Sequence, residues 1–289
     1  MIPDPRGVPS LLKRTSYRLE AIGLLIGMAA IAALCAHLLW GPDGIWLSLL
    51  AIAAGAFFVP RLAPSMALQM FGAIPMAPDI WPEVFALARS LSARAGLAAP
   101  PALYRLPTSV AMAFSTGTSD EPVIAVSTGA LERLTPAELA GLLAHEVAHL
   151  ATGDLALRTL SELMARFTRI LCTFGLLTAI WLALGDQNRV PLVVILVLVV
   201  APSTIALLQL ALSRNREYEA DSYAIELAGE ARGLASALAQ LEIEQHSLLR
   251  RLFWPHARSE APVWLRTHPR TEDRIARLRA LRPEEFGRL

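Results

Sequence analysis

Apolar residues are spread unevenly along this chain. Four stretches contain no Asp, Glu, Lys or Arg: residues 21–42, 45–60, 170–185 and 190–213. A helix that crosses a bilayer core needs about 20 consecutive apolar residues, within a range of about 17 to 25. The first and fourth stretches meet that length. The second and third are short for it, and on length alone suit buried or re-entrant helices as well. Each short stretch is joined to a long one by a tight turn, at residues 41–44 and 185–189, and this pairing argues for two helical hairpins made of four transmembrane helices.

The remaining segments change period. Residues 81–95 read as an amphipathic helix closed by Gly96, and residues 102–106 as a strand. Two apolar, β-branched runs follow, 110–117 and 123–129, on either side of a polar turn, which is the pattern of a β-hairpin. Residues 135–154 then read as one helix with marked ends. Thr135 can N-cap it, Pro136 suits the first helical position, Glu138 completes a capping box and Gly153 stops it. Leu139, Leu142, Leu143, Val147 and Leu150 form its apolar face. Asp154 starts a helix that runs into the third apolar stretch. Further helices are expected over residues 220–252, broken near Gly229 and Gly233, and over residues 271–281. The expected fold class is mainly α with a small β-sheet, an α+β arrangement. It divides into a loose leader (1–20), a first membrane hairpin (21–60), a polar segment holding the sheet and the capped helix (61–169), a second hairpin (170–213) and a helical segment (214–289). Residues 61–81 are expected to form an interfacial linker.

The capped helix contains His145-Glu146-Val147-Ala148-His149, an H-E-x-x-H pattern. Residues four apart lie one turn apart on the same helix face, so both imidazoles can share one tetrahedral Zn²⁺. Glu146 stands beside the first histidine without being a ligand. It can take a proton from a water activated by the metal and return it to a leaving amine. The motif falls on a capped amphipathic helix, the context this chemistry requires.

Catalytic zinc sites usually have three protein ligands. After the fourth apolar stretch, residues 213–221 offer Glu217, Glu219 and Asp221. Glu217 and Asp221 share a helix face and Glu219 points elsewhere. Glu217 is therefore read as the ligand, and Asp221 as the acceptor for the second ring nitrogen of a ligand histidine. Glu217 lies roughly 6 Å of helix beyond the last apolar residue, which places the metal near the membrane surface. His268, just before the last helix, either faces the metal and stabilises an oxyanion or is a turn histidine. His246 and His256 have no partner pattern and are read as surface residues. Either strand of the hairpin can pair with an extended substrate.

Composition adds three constraints. Charged residues make up 18% of the chain, against about 25% in soluble domains, and the shortfall lies in the four apolar stretches. The net charge of +1 gives no reason to expect a nucleic-acid partner. Cys35 and Cys172 both sit in apolar stretches and read as core residues rather than a disulfide. Basic residues flank the cytoplasmic ends under the positive-inside rule: Lys13, Arg14 and Arg18, then Arg61, Arg166, Arg169, Arg214 and Arg216. Residues 41–44 carry only Asp43. Both polar segments are thus expected on the cytoplasmic side.

These motifs together resemble a known family. H-E-V-A-H followed by G-D, S-R-N-R-E-Y-E-A-D, the A-F-S-T-G and V-I-A-V-S-T-G hairpin and T-H-P-R-T-E-D-R-I resemble the HtpX heat-shock proteases, relatives of the CAAX prenyl protease. The resemblance covers most of the chain, from the first apolar stretch to Leu281. It implies an integral, gluzincin-like zinc endopeptidase of the bacterial inner membrane. Such an enzyme degrades misfolded or damaged membrane proteins as part of a stress response. It implies zinc on His145, His149 and Glu217, catalysis by Glu146, and supporting roles for Asp221, His268 and Arg274. The family often has Asn where this chain has Met112, so backbone pairing to substrate is implied there but a side-chain contact is not. Two other readings remain: a site-specific processing protease of the CAAX type, and a non-catalytic membrane scaffold around a structural zinc.

Overall fold

A computed structural model of the chain describes residues 11–117, 120–184, 190–253 and 271–286. His268 and the 254–264 loop lie outside the described residues. The elements run α1 (Leu11–Trp40), α2 (Pro42–Met70), β1 (Ile74–Pro75), α3 (Pro82–Ala95), β2 (Ala102–Leu106), β3 (Ala113–Gly117) and β4 (Pro122–Ser127). They continue with α4 (Thr128–Arg133), α5 (Pro136–Thr152), α6 (Asp154–Leu184), α7 (Leu192–Ala228), α8 (Arg232–Phe253), α9 (Thr271–Leu281) and α10 (Pro283–Phe286). The described chain is mostly helical with one small mixed sheet.

The chain forms two compact units. One comprises Leu12–Val59 and Ala156–Asn215. Its interior is built from Met28, Met164, Ile205 and Leu212, and from Cys35, Cys172 and Leu198. The two cysteines are free and buried, with their Sγ atoms 3.7 Å apart. Its outward side chains include exposed Trp46, Leu50, Leu177, Trp181 and Leu192. Apolar surface on this scale is unfavourable in water and suits a lipid environment.

Three of the described helices are long and apolar enough to cross a membrane: Leu19–Trp40, Leu157–Leu184 and Leu192–Ala228. The expectation of four transmembrane helices is corrected to three. The apolar part of α2, Pro42–Phe58, is a shorter helix. Its described apolar stretch of about 17 residues sits at the lower limit of the roughly 17–25 that a crossing needs. Two boundaries also differ from expectation. Helix α1 already begins at Leu11, inside the segment read as a loose leader. Helix α2 continues to Met70, through half of the segment read as a linker.

The other unit comprises Met1–Leu11, Pro60–Leu155 and Arg216–Leu289. Its sheet has the order β1-β2-β4-β3. Strand β2 is parallel to β4, while β1 and β3 pair antiparallel with β2 and β4. Helix α5 forms as its sequence dictates. The Thr135 side chain accepts from the Glu138 N–H, the Glu138 carboxylate accepts from the Thr135 N–H at 2.8 Å, and Gly153 ends the helix at φ 74°. The Glu138 carboxylate also accepts from Ser236 and Gln240 on α8, fastening the two helices at this end. Leu142, Leu143, Val147 and Leu150 of α5 pack into a core with Ile124 and Val126 of β4, Leu91 of α3, and Leu234 and Leu238 of α8.

Two glycines let α5 and α8 approach closely. A Cβ at Gly141 would stand 2.5 Å from the Leu234 nitrogen, and one at Gly233 would stand 2.4 Å from the Ala137 oxygen. Backbone atoms cannot yield as side chains do. Gly141→Ala is therefore expected to cost about 1–3 kcal/mol through overpacking. A lower Tm in detergent is the result to look for; an unchanged Tm would show that the two backbones separate freely.

Candidate metal centre

The three motif residues of α5 are buried, with His145 6%, Glu146 7% and His149 7% exposed. Glu217 and Asp221 on α7 are 3% and 1% exposed. Such buried ionisable groups are tolerated only when paired, and here they face one another. His145 Nε2 lies 3.1 Å from His149 Nε2. Glu217 brings Oε2 to 3.5 Å from His145 Nε2 and Oε1 to 3.7 Å from His149 Nε2. Ligand atoms of all three residues fall within 4.8 Å of one another, a group among the described residues that could hold a metal ion.

This spacing can be tested against a metal. Tetrahedral zinc with bonds of 2.0–2.1 Å holds its ligand atoms about 3.3 Å apart. The separations of 3.1 Å between the histidines and of 3.5 and 3.7 Å to the two oxygens of Glu217 lie near that value. Two imidazoles and one carboxylate are also a donor set that suits zinc. The residues therefore fit the ion.

Asp221 lies one helical turn after Glu217, and its Oδ1 is 3.0 Å from His145 Nδ1. An ionised carboxylate only accepts, so the Nδ1 proton points to Asp221, and Nε2 is the nitrogen that faces His149 and Glu217. Burial alone would lower the pKa of His145. Hydrogen bonds to Asp221 and Glu217 outweigh burial, against an opposing pull from Arg274, and push it up to about 9. The site therefore favours positive charge between its carboxylates.

Arg274, on α9, completes the arrangement. It donates from Nε to Asp221 Oδ2 at 2.8 Å and from Nη2 to Asp221 Oδ1 at 2.6 Å. Its Nη1 lies 3.2 Å from Glu217 Oε2. One guanidinium thus holds the two carboxylates of α7 in a fixed relation, with bidentate geometry toward Asp221. Burial opposes the charge on Asp221, but the charge and hydrogen bonds of Arg274, with help from His145, hold its carboxyl below the usual range. Burial likewise opposes the charge of Arg274, which is maintained chiefly by Asp221, then by Glu217 and Glu146. A second contact, Arg277 over the Tyr218 ring at 4.9 Å, links the same two helices.

The structure thus brings His145, Glu146, His149, Glu217 and Asp221 into one buried cluster, while His268 falls outside the described residues. Residue patterns alone gave Arg274 no role; only the family resemblance pointed to it. Helix α9 also carries Arg277 and Arg279, so nothing local marks one arginine as buried.

The pattern of peptidase family M48 matches residues 82–282, a span that contains every residue of the cluster. The chain belongs to peptidase family M48. Protease HtpX homolog of Desulfatibacillum aliphaticivorans is 31% identical over 284 residues, covering 93% of this chain and 91% of that relative. Protease HtpX of Legionella pneumophila (strain Lens) is 33% identical over 278 residues, covering 91% and 98%. Among solved structures, S. mikatae Ste24p shares the fold with a TM-score of 0.56 at 18% identity; the likeness covers 95% of this chain and 66% of that one. As an M48 peptidase with membrane-length apolar helices, the protein is a membrane metalloprotease.

Proposed function

We propose that this M48 peptidase is a zinc-dependent endopeptidase. It hydrolyses peptide bonds of misfolded or damaged membrane proteins at the bacterial inner membrane, with its active site on the cytoplasmic side. The observation that carries the reading is the trio His145, His149 and Glu217, spaced as tetrahedral zinc ligands beside a glutamate. Bound there, zinc would act as a Lewis acid on the scissile carbonyl and lower the pKa of a water toward 7. His145 and His149 present ring nitrogens, and Glu217 a carboxylate oxygen. Asp221 fixes the His145 tautomer and Arg274 fixes both α7 carboxylates. Glu146 accepts the proton of the attacking water and delivers it to the departing amine nitrogen.

The sheet suggests how substrate is held. Strand β4 is paired on both sides, whereas among the described residues β3 pairs with β4 alone and its other edge is free, with α5 nearby. The Ser127 N–H donates to the Met112 carbonyl at 2.9 Å, and the register continues through Phe114 opposite Ala125. Hydrogen-bonded pairs alternate along an antiparallel ladder. Ala113, Ser115 and Gly117 therefore turn their N–H and C=O groups to the free edge, where an extended substrate can add as a further strand. The orientation rests on the basic residues that flank the apolar stretches. A structural zinc would need four protein ligands, and the cluster among the described residues has three.

The test is purification in detergent followed by casein digestion. Chelation is expected to abolish cleavage, and added Zn²⁺ to restore it. Cleavage at many bonds fits quality control, whereas one fixed bond in a set of membrane substrates would favour a processing enzyme. Full activity in chelator would refute metal dependence.

A further inference from the structure

The substrate edge of β3 is accompanied by an apolar surface that the mechanism does not use. Ala113 packs on the core and Ser115 is buried, so strand alternation turns Phe114 and Thr116 to the opposite face of the sheet. On that face Phe71 meets Phe114, with ring centroids 5.3 Å apart and planes tilted by 44°. Phe71 remains 46% exposed and its neighbour Met70 80% exposed.

Phe71 does not reach this position through a loose loop. The Ala73 N–H donates to the Leu68 carbonyl at 2.8 Å, the Gly72 N–H donates to Gln69 at 3.1 Å, and Gly72 adopts φ 59°. These are the bonds and the left-handed glycine of a Schellman cap, which fixes the last turn of α2. The ring is therefore held in place beside Phe114 before any ligand arrives, and its remaining surface is open.

We propose that Phe71 and Phe114 form a subsite for an apolar side chain of the substrate. The proposal rests on the protease reading and on strand addition at β3, and it specifies what that edge selects. Side chains directly opposite across a sheet project to the same face. When a substrate strand pairs with β3, every second residue projects toward Phe114 and Phe71, and the others project toward the face that α5 packs against. The segment that carries Phe71 is uncharged: no Asp, Glu, Lys or Arg occurs between Arg61 and Asp79. The subsite would thus select segments in which apolar residues recur with period two, or are continuous.

The test uses a series of short quenched-fluorescence peptides of Ser and Ala in which a single Leu is moved one position at a time. Wild-type enzyme is expected to cleave best when Leu occupies alternate positions. Phe71→Ala is expected to lower kcat/KM about tenfold for those peptides, mainly through KM, and to leave the intervening ones unchanged. Phe71→Leu should recover most of the loss. A uniform loss across the series would mean that Phe71 only supports the fold, and would overturn the subsite. No loss on any peptide would also overturn it, leaving Met70 and Phe71 as a lipid-facing turn. Failure of wild-type enzyme to cleave any peptide or casein in a zinc-dependent way would instead refute the protease reading.

Discussion

Glu146→Gln is expected to lower kcat by about 10²–10⁴-fold, the usual worth of a positioned general base. The substitution keeps size and hydrogen-bonding shape but removes the group that accepts a proton. Glu146 is buried next to His145, and its charge is one of those that stabilise Arg274. It belongs to the same charge cluster as His145, His149 and Glu217 without being one of the three clustered donors. Metal content of the purified variant should therefore equal that of the wild type, and KM should change little. Casein turnover and metal analysis on the same preparation separate the roles. A variant that loses its metal would make Glu146 a ligand, and one that keeps full turnover would remove it from the chemistry.

Asp221→Ala should give the second large effect, this time on assembly. Asp221 takes two hydrogen bonds from Arg274 and faces His145 Nδ1. Without it, Arg274 is a buried cation held by Glu217, and the His145 ring loses its orienting partner. Breaking a buried pair from one side costs about 3–5 kcal/mol. Loss of a group that orients a metal-ligating histidine lowers metal affinity about 10–100-fold. Thermal unfolding in detergent and zinc titration should both register the change. Asp221→Ala combined with Arg274→Leu should destabilise less than the sum of the two single changes, because neither charge is then stranded. Strict additivity would show that the two groups do not act as a pair. The sign with pH follows from the lowered Asp221 pKa. The carboxylate contributes stability above its unfolded pKa and loses it as pH falls through the folded value, so acid should harm wild type more than Asp221→Asn.

What the sequence revealed depended on how local each determinant was. The ends of α5 were legible because Thr135, Pro136, Glu138 and Gly153 act within their own helix. The relation of Glu217 to Asp221 was legible because it is a one-turn spacing. The second crossing was misread because an uncharged run reports composition alone: α2 continues through Pro60 and Pro64 to Met70, and its described apolar part is the shorter stretch Pro42–Phe58. Strand order was not legible either, since both runs of the hairpin have similar apolar, β-branched patterns. Only the parallel pairing of β2 with β4 leaves β3 at the edge. Arg274 is the clearest case. It sits in a helix rich in exposed arginines, and only tertiary pairing across 53 residues distinguishes it from them.

Metal stoichiometry of the Glu217→Ala protein tests the central arrangement most directly. The wild-type enzyme, purified in detergent and dialysed, should carry one zinc per chain, and the variant should retain little. Equal zinc in both would mean that Glu217 does not hold the ion, and that the third ligand lies elsewhere in the chain.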